Sequence, residues 1–424
     1  MYVLNILTEE GFLEKKRVEF PRLYFVADNA LVDLLSQATN VSSIASYLPM
    51  LFDNIHNLNF DSAECSSIVS VESAEGERLQ LCNPIRIVQN PEQWLKELEE
   101  TMQRTLRGLI QRASDQITTS SVLDLVNSYP TQLCLLGIIL AFTKEVEIFL
   151  NRRDRSSLVV IAKNASQLLA GLIAQATHEY LSTFKHMKLE SLVMIAMYYR
   201  DVVERVSQAK TNDVSDFSWQ RNIRAYWRKE DCIVSIGNVD LSYCYEYIGA
   251  RSRLVMTPLT ERVYISLSQS LSLHQCGALY GRAGTGKSET IKDIAHTIGV
   301  FLLIFNGSDQ ISSSVTTQWL KGIAQAGAWV CFDELNRVKL QSLAVIAQQI
   351  STILNALRQR EHECAFVDGS SITVNPTCGM FIVSNPTYIG RYHLPENFKA
   401  CYELMCVQSH LLSDATSRRN HEHP

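Results

Sequence analysis

The chain has no long hydrophobic run. Its longest, Leu133 to Phe142, meets Lys144 and Glu145 and falls short of the ~20 apolar residues that cross a bilayer. We read it as a buried helix and expect no membrane partner. The N-terminus, Met1 to Glu10, lacks a basic segment, an apolar core and a small-residue cleavage site, so no secretory signal is expected. Basic runs and tails are also missing. Against 44 Asp and Glu stand 39 Lys and Arg, a formal charge of −5, which argues against a nucleic-acid partner. The 11 cysteines are scattered without a C-x-x-C pair, which argues against zinc and favours reduced thiols. With no secretory signal, the N-x-S sequons at Asn40, Asn164 and Asn306 are read as chance. His421-Glu422-His423 reads as a solvated end rather than a metal site.

What is present is a globular composition, 46% hydrophobic and 20% charged, over 424 residues, room for two or three domains. The first half is helical in pattern. Leu31 to Ala38 has helical spacing, and Glu64 to Arg86 alternates enough for two short strands. Asn90-Pro91 opens a helix carrying Trp94, Leu98, Met102, Leu106 and Leu109 on one face. Further helices are expected from Pro130 to Leu150, Leu158 to Ala176 and Lys188 to Val206, forming a bundle or rod without chemistry of its own. Phe217 to Arg228 is aromatic and basic, a mixture that can stack single-stranded nucleic acid. The acidic neighbours Glu230, Asp231, Asp240 and Glu246 favour a packed hairpin instead, with strands at Cys232 to Ile236 and Leu241 to Tyr247 about a Gly237-Asn238 turn.

From Leu254 the pattern becomes doubly wound α/β. Strands are expected at Gly277 to Tyr280, Val300 to Asn306, Ala328 to Phe332 and Gly379 to Ser384. Helices are expected at Lys287 to Ile298, Ser314 to Ala326 and Leu340 to Arg360, with a hairpin at Cys364 to Val374. After the first strand comes Gly281-Arg282-Ala283-Gly284-Thr285-Gly286-Lys287-Ser288, a complete G-x-x-x-x-G-K-[ST] phosphate loop opening a helix. Its glycines let backbone N–H groups curl round a phosphate, and the helix N-terminus adds positive potential. Lys287 would reach the β- and γ-phosphates of ATP, and the Ser288 hydroxyl would ligate Mg2+. The strand Ala328 to Phe332 runs into Asp333 and Glu334. Asp333 would hold Mg2+ through water, and Glu334 would orient the attacking water. Asn385, after the last of these strands, can sense the γ-phosphate, although Asn-Pro after a strand is commonly a turn.

These residues together resemble the first AAA+ module of dynein heavy chains, of axonemal type. The likeness is carried by Val255-Met256-Thr257-Pro258-Leu259-Thr260-Glu261-Arg262, the phosphate loop with Glu289-Thr290, and Phe305-Asn306-Gly307-Ser308. It continues through Gly327-Ala328-Trp329, Cys331-Phe332-Asp333-Glu334-Leu335-Asn336-Arg337, Ser384-Asn385-Pro386 and Leu394-Pro395-Glu396-Asn397. At lower strength Phe20-Pro21-Arg22, Trp94 to Arg107 and Tyr245-Glu246-Tyr247 resemble the C-terminal part of the dynein linker.

The resemblance implies a helical linker-like region with a closing β-hairpin at 1–250, a large AAA+ subdomain at 251–400 and a divergent polar tail at 401–424. It matches Lys287 and Ser288 to Walker A, Asp333 and Glu334 to Walker B, and Asn385 to sensor I. It places the adenine ring by Leu254, Val255 and Pro258, and gives Arg337 no catalytic role. It implies ATP and Mg2+ as ligands, other dynein chains as partners, microtubules reached only through a stalk outside this sequence, and a cytoplasmic, cytoskeletal and axonemal location. Departures are Arg282 where the family has proline, Ser288 for threonine, and Cys244 for glycine. At Cys401 the family goes on to another sheet strand and a helical lid, so an incomplete sheet with an exposed edge is expected here. A neighbouring module normally supplies an arginine finger worth roughly three to five decades in rate, so very slow or no hydrolysis is expected of these residues alone. The alternative expectation is a non-catalytic module that binds other dynein components. An unrelated P-loop kinase or nucleic-acid motor is disfavoured, because neither an acceptor motif nor a basic channel is evident.

Overall fold

The computed structural model describes residues 2–36, 44–61, 67–114, 126, 128–152, 155–177, 181–209, 213–308, 312–366, 368–385 and 402–406. The chain divides into two compact units, Met1–Thr257 with Ala295–Phe301, and Pro258–Ile294 with Leu302–Pro424.

The first unit begins with α1 (Tyr2–Glu19), a 3-10 turn at Pro21–Phe25 and α2 (Asp28–Ser36). An antiparallel sheet follows, β1 (Asn57–Phe60), β2 (Ser67–Glu72) and β3 (Arg78–Arg86), ordered β1-β2-β3. Next is α3 (Pro91–Ser114), where proline at the first position removes one of the N–H groups that the first turn leaves without an intrahelical partner. Its Trp94, Leu98, Met102 and Leu106 are fully buried, as one helix face requires. Thr105 Oγ1 accepts from the Cys82 N–H, fixing this helix to β3. The expected buried run lies in α4 (Thr131–Arg152). It packs with α5 (Arg155–Ala176) and α6 (Thr183–Gln208), where the rings of Phe142 and Tyr199 stack at 5.1 Å. A second antiparallel sheet, β4 (Ile223–Arg228), β5 (Asp231–Ile236) and β6 (Val239–Ser242), closes this region.

Charge is buried here too. Arg22 donates to both carboxylate oxygens of Glu246, at 2.9 and 2.7 Å, and to Glu99 at 2.8 Å. Its guanidinium also lies between the rings of Phe52 and Phe301. Such a fork is the geometry for which arginine, unlike lysine, is suited.

The structure adds elements to this unit and changes one expectation. The helix Tyr2–Glu19 was not signalled. Glu64 to Arg86 holds the two expected strands, β2 and β3, and a further strand, β1, precedes that stretch from Asn57. The tyrosine-rich stretch after Leu241 is not a strand. Tyr243, Tyr245 and Tyr247 are all buried instead of sharing one face of a hairpin, and Tyr245 has φ 58. The Cys244 and Glu246 N–H groups donate to the carbonyls of Ile298 and Gly299. The expected hairpin about Gly237-Asn238 is present but short, β5 pairing with β6 from Ile236 opposite Val239 to Ile233 opposite Ser242, and β5 also pairs with the preceding β4, joined through Lys229 and Glu230, both left-handed.

The second unit is a parallel α/β fold. Its elements are α7 (Pro258–Ser272), β7 (Cys276–Tyr280), α8 (Lys287–Ile298, whose last turn belongs to the first unit), β8 (Leu302–Asn306), α9 (Ser313–Ala326), β9 (Trp329–Asp333) and α10 (Leu340–Gln359). A small hairpin, β10 (Glu363–Ala365) and β11 (Ser371–Thr373), precedes β12 (Gly379–Ser384) and β13 (Tyr402–Cys406). The sheet order is β13-β7-β12-β9-β8, every pair parallel. Buried aromatics fill its core: Phe305 and Phe332 lie 5.5 Å apart, Trp329 and Phe381 5.0 Å apart. Val159–Ala176 and Leu340–Gln359 are long and apolar enough to cross a membrane by length and composition, and half of the second window is buried inside the protein.

The expected exposed edge is overturned. Tyr402–Cys406 pairs with β7 in parallel, Tyr402 opposite Cys276 through Cys406 opposite Tyr280. The backbone donors and acceptors on that side of β7 are thereby paired. The rest of the expected tail, 401 and 407–424, and the family phrase Leu394 to Asn397 lie outside the described residues. The fold class stands: a helical region followed by an α/β domain with a parallel sheet.

Candidate active site

Parallel α/β sheets bind ligands beyond the C-terminal ends of their strands. Here the ends of β7, β8, β9 and β12 are tied to one another by backbone hydrogen bonds. The Gly281 N–H donates to the Ser384 carbonyl at 3.3 Å, Glu334 N–H to Val383 at 3.0 Å, and Gly307 N–H to Asp333 at 2.8 Å. The phosphate loop leaves β7 and enters α8, with Gly284 and Gly286 both at φ 76. A Cβ at either glycine would touch nothing among the described residues, so it is the positive φ that calls for glycine there.

A cleft of about 790 Å³ opens over these strand ends. Ala283, Gly284, Thr285, Gly286, Lys287, Ser288, Asp333, Glu334 and Asn385 all line it. The fold therefore brings together residues separated by a hundred positions in sequence. Lys287 is buried, and its Nζ donates to the carbonyls of Gly281 at 3.0 Å and Arg282 at 2.6 Å. Burial lowers its pKa, while Asp333 and Glu334 pull it the other way. The ammonium is thus held by carbonyls of the loop itself.

The Ser288 hydroxyl donates to Asp333 Oδ2 at 2.7 Å. A hydroxyl and a carboxylate this close are hard oxygen donors of the kind Mg2+ takes, with its remaining positions left to water and phosphate. The residues present fit that ion. Among the described residues no group of three or more His, Cys, Asp or Glu side chains could hold a metal by itself. Glu334 begins a 3-10 turn, Leu335–Arg337, from a left-handed conformation, φ 53 and ψ 37. Its Oε2 lies 2.6 Å from Nε of Arg337. Asn385 is 4% exposed, and its backbone carbonyl accepts from the Asn336 side chain at 3.3 Å.

Gly281 and Arg282 contribute carbonyls to Lys287 rather than wall to the cleft. Arg282 is exposed, so its replacement of the usual proline does not crowd the loop interior. Leu254 is half-buried and Val255 is 58% exposed, on the extended stretch that ends the first unit; Pro258 is exposed and opens α7. The cleft also takes in Asn306, Gly307, Arg337 and Ser384, which the sequence reading did not assign to it. Asn306 and Gly307 carried a usable signal, since a polar residue and a glycine closing an apolar strand occupy the same place as Asp333 on its own strand. The register puts Asn306 directly opposite Asp333.

Residues 243–410 match the family model described as the hydrolytic ATP binding site of dynein motor region. Residues 8–113 match that of dynein heavy chain, N-terminal region 2. The chain is 38% identical over 403 residues to dynein axonemal heavy chain 8 of Mus musculus, covering 94% of this chain and 8% of that protein. It is 38% identical over 394 residues to dynein axonemal heavy chain 5 of Rattus norvegicus (92% of this chain, 11% of that one). To the dynein gamma chain, flagellar outer arm, of Chlamydomonas reinhardtii it is 35% identical over 397 residues (92% and 9%). It thus spans about a tenth of the length of these relatives. With one dynein model on each unit and axonemal relatives along nearly all of its length, the chain belongs to the dynein heavy-chain family.

Proposed function

We propose that the cleft binds Mg·ATP and hydrolyses the bond between its β- and γ-phosphates to give ADP and phosphate, and that in a whole dynein heavy chain this hydrolysis drives movement of the linker-like region. The observation that carries the reading is the 2.7 Å contact of Ser288 and Asp333 in one cleft with Lys287, Glu334 and Asn385. Lys287 and the loop N–H groups bind the phosphates. Ser288 and Asp333 would hold Mg2+, which would supply positive charge beside the phosphate oxygens. Glu334 accepts a hydrogen bond from the attacking water and orients it, and Asn385 contacts the γ-phosphate. Leu254, Val255 and Pro258 are proposed to pack the adenine.

The relatives are named as axonemal and flagellar dynein chains. We therefore propose other dynein chains as partners and the axoneme as location, with microtubule contact assigned to the heavy-chain stalk. The non-catalytic alternative, a helical region that binds other dynein components, would gain support from an uncovered sheet edge, and β13 pairs with that edge.

The test is nucleotide affinity with and without Mg2+, for the wild-type chain and Lys287→Ala. Binding that is stronger with Mg2+ and lost in Lys287→Ala is expected. Affinity indifferent to both would refute the site. Glu334→Gln is expected to keep ATP bound while blocking its hydrolysis.

A further inference from the structure

We propose that the 3-10 turn Leu335–Arg337 is the positioning device for the hydrolytic residues, with Arg337 orienting Glu334 and Asn336 anchoring Asn385. The inference rests on the reading above that Glu334 and Asn385 act at the γ-phosphate. Two adjacent residues of one short turn each hold one of that pair.

The first arm is an ion pair set by backbone strain. Glu334 adopts φ 53 and ψ 37, a region a non-glycine residue enters at a cost, and such strain concentrates where function demands it. This left-handed residue reverses the chain so that the Arg337 N–H donates to the Glu334 carbonyl at 2.9 Å. The Arg337 side chain returns over the same residue, with Nε 2.6 Å from Oε2. Both side chains line the cleft. The arginine is 51% and the glutamate 31% exposed, so the pair adds little to stability. What it does is restrict the directions in which the carboxylate can point.

The second arm is buried. Asn336 is 5% exposed and its Nδ2 donates to the backbone carbonyl of Asn385 at 3.3 Å. Its Oδ1 is buried and has no hydrogen-bond partner among the described residues. A buried amide that leaves an acceptor unused is a poor choice for packing alone, because an apolar side chain of the same size would avoid that penalty. The amide earns its place through the one bond it makes, and that bond ends on Asn385. Neither Asn336 nor Arg337 is assigned a contact with nucleotide.

The test uses the full chain with a fluorescent ATP analogue for affinity and single-turnover hydrolysis of bound radiolabelled ATP for rate. Arg337→Ala and Asn336→Asp, the latter keeping size while removing the donor, are expected to slow turnover by about ten- to a hundredfold, the scale of a small misplacement of a reacting group. Affinity is expected to stay within about threefold, a separation that simple unfolding would not give. Arg337→Lys, which keeps the charge, is expected to recover part of the rate. Arg337 is exposed, so its variants report even where substitution of the buried Asn336 lowers the melting temperature. Turnover unchanged in Arg337→Ala and Asn336→Asp, while Glu334→Gln abolishes it, overturns this inference and leaves the site reading intact. Wild-type turnover no faster than that of Glu334→Gln also overturns it, since no Glu334-dependent step would then need positioning. Binding indifferent to Lys287→Ala instead strikes the site reading itself.

Discussion

The Ser288 hydroxyl and the Asp333 carboxylate, brought from α8 and the end of β9, meet at 2.7 Å. Neither residue alone defines a cation site; together they present two hard oxygen donors beside the loop that carries Lys287. We predict that Asp333→Asn reduces the gain in ATP affinity conferred by Mg2+ by at least about tenfold, the lower end of losses seen for groups supporting a metal. Titration with fluorescent nucleotide in the presence of Mg2+ or of EDTA measures it. An unchanged ratio contradicts the assignment.

Gly307 has no room for a side chain. A Cβ there would run into the carbonyl oxygen of Glu334 and lie 2.9 Å from its carbonyl carbon. Backbone cannot step aside as a flexible side chain can. Gly307→Ala should therefore displace Glu334 and lower turnover by up to about 100-fold, while Lys287 and the phosphate loop still hold nucleotide. Equal loss of binding and turnover would show that the substitution had disturbed the whole cleft.

The side chain of Asp53 is buried in the first unit, 3.6 Å from both Arg251 and His296. Burial pushes its pKa from the ordinary 3.8 up to about 7, opposed by Arg251 and assisted by nearby Glu246. Between those two values the folded chain keeps a proton that the unfolded chain has released. The stabilisation is complete below the lower value and is lost as pH rises through the upper one, at no more than about 1.4 kcal/mol per pH unit. Denaturant unfolding at pH 5 and pH 7.5 should show a larger fall in stability for wild type than for Asp53→Asn. Equal falls would remove Asp53 as the cause.

Arg22 joins Glu246 and Glu99 with little access to water. Removing one member of a buried pair leaves charge without compensation, at a cost of about 3–5 kcal/mol. Arg22→Met should destabilise the first unit by that order in urea unfolding. Arg22→Lys should recover only part of it, because an ammonium cannot fork to both Glu246 oxygens. Full recovery by lysine would mean that charge alone matters there.

Legibility followed sequence distance. The phosphate loop is contiguous, and its glycines, lysine and hydroxyl are needed in one order by local backbone geometry. The acidic pair Asp333-Glu334 could be read because the apolar strand before it sets where the pair emerges. Helix faces such as Trp94, Leu98 and Met102 announce themselves by period. Asn306 and Gly307 carried only the local signal of a polar residue and a glycine closing an apolar strand, and Asn336 and Arg337 carried none. Their positions depend on which strand lies beside which, and on a left-handed turn at Glu334 that no side-chain pattern signals.

The two strand errors have the same origin. Tyr243, Tyr245 and Tyr247 alternate like a strand, but the N–H groups of Cys244 and Glu246 pair with carbonyls some fifty residues away, at Ile298 and Gly299. Tyr402 to Cys406 is too short to stand out, and it becomes a strand because β7 offers it a free edge in register.

By itself, then, the sequence determined the phosphate cradle, the acidic strand end, the parallel α/β class and the helical region before it, since each of these is written in neighbouring residues and their spacing. Tertiary structure alone decided that the sheet edge is covered, that Ser288 touches Asp333, and that one short turn holds both Glu334 and Asn385. Those relations are distances across a folded sheet, and they exist only once strand order and register bring remote parts of the chain together.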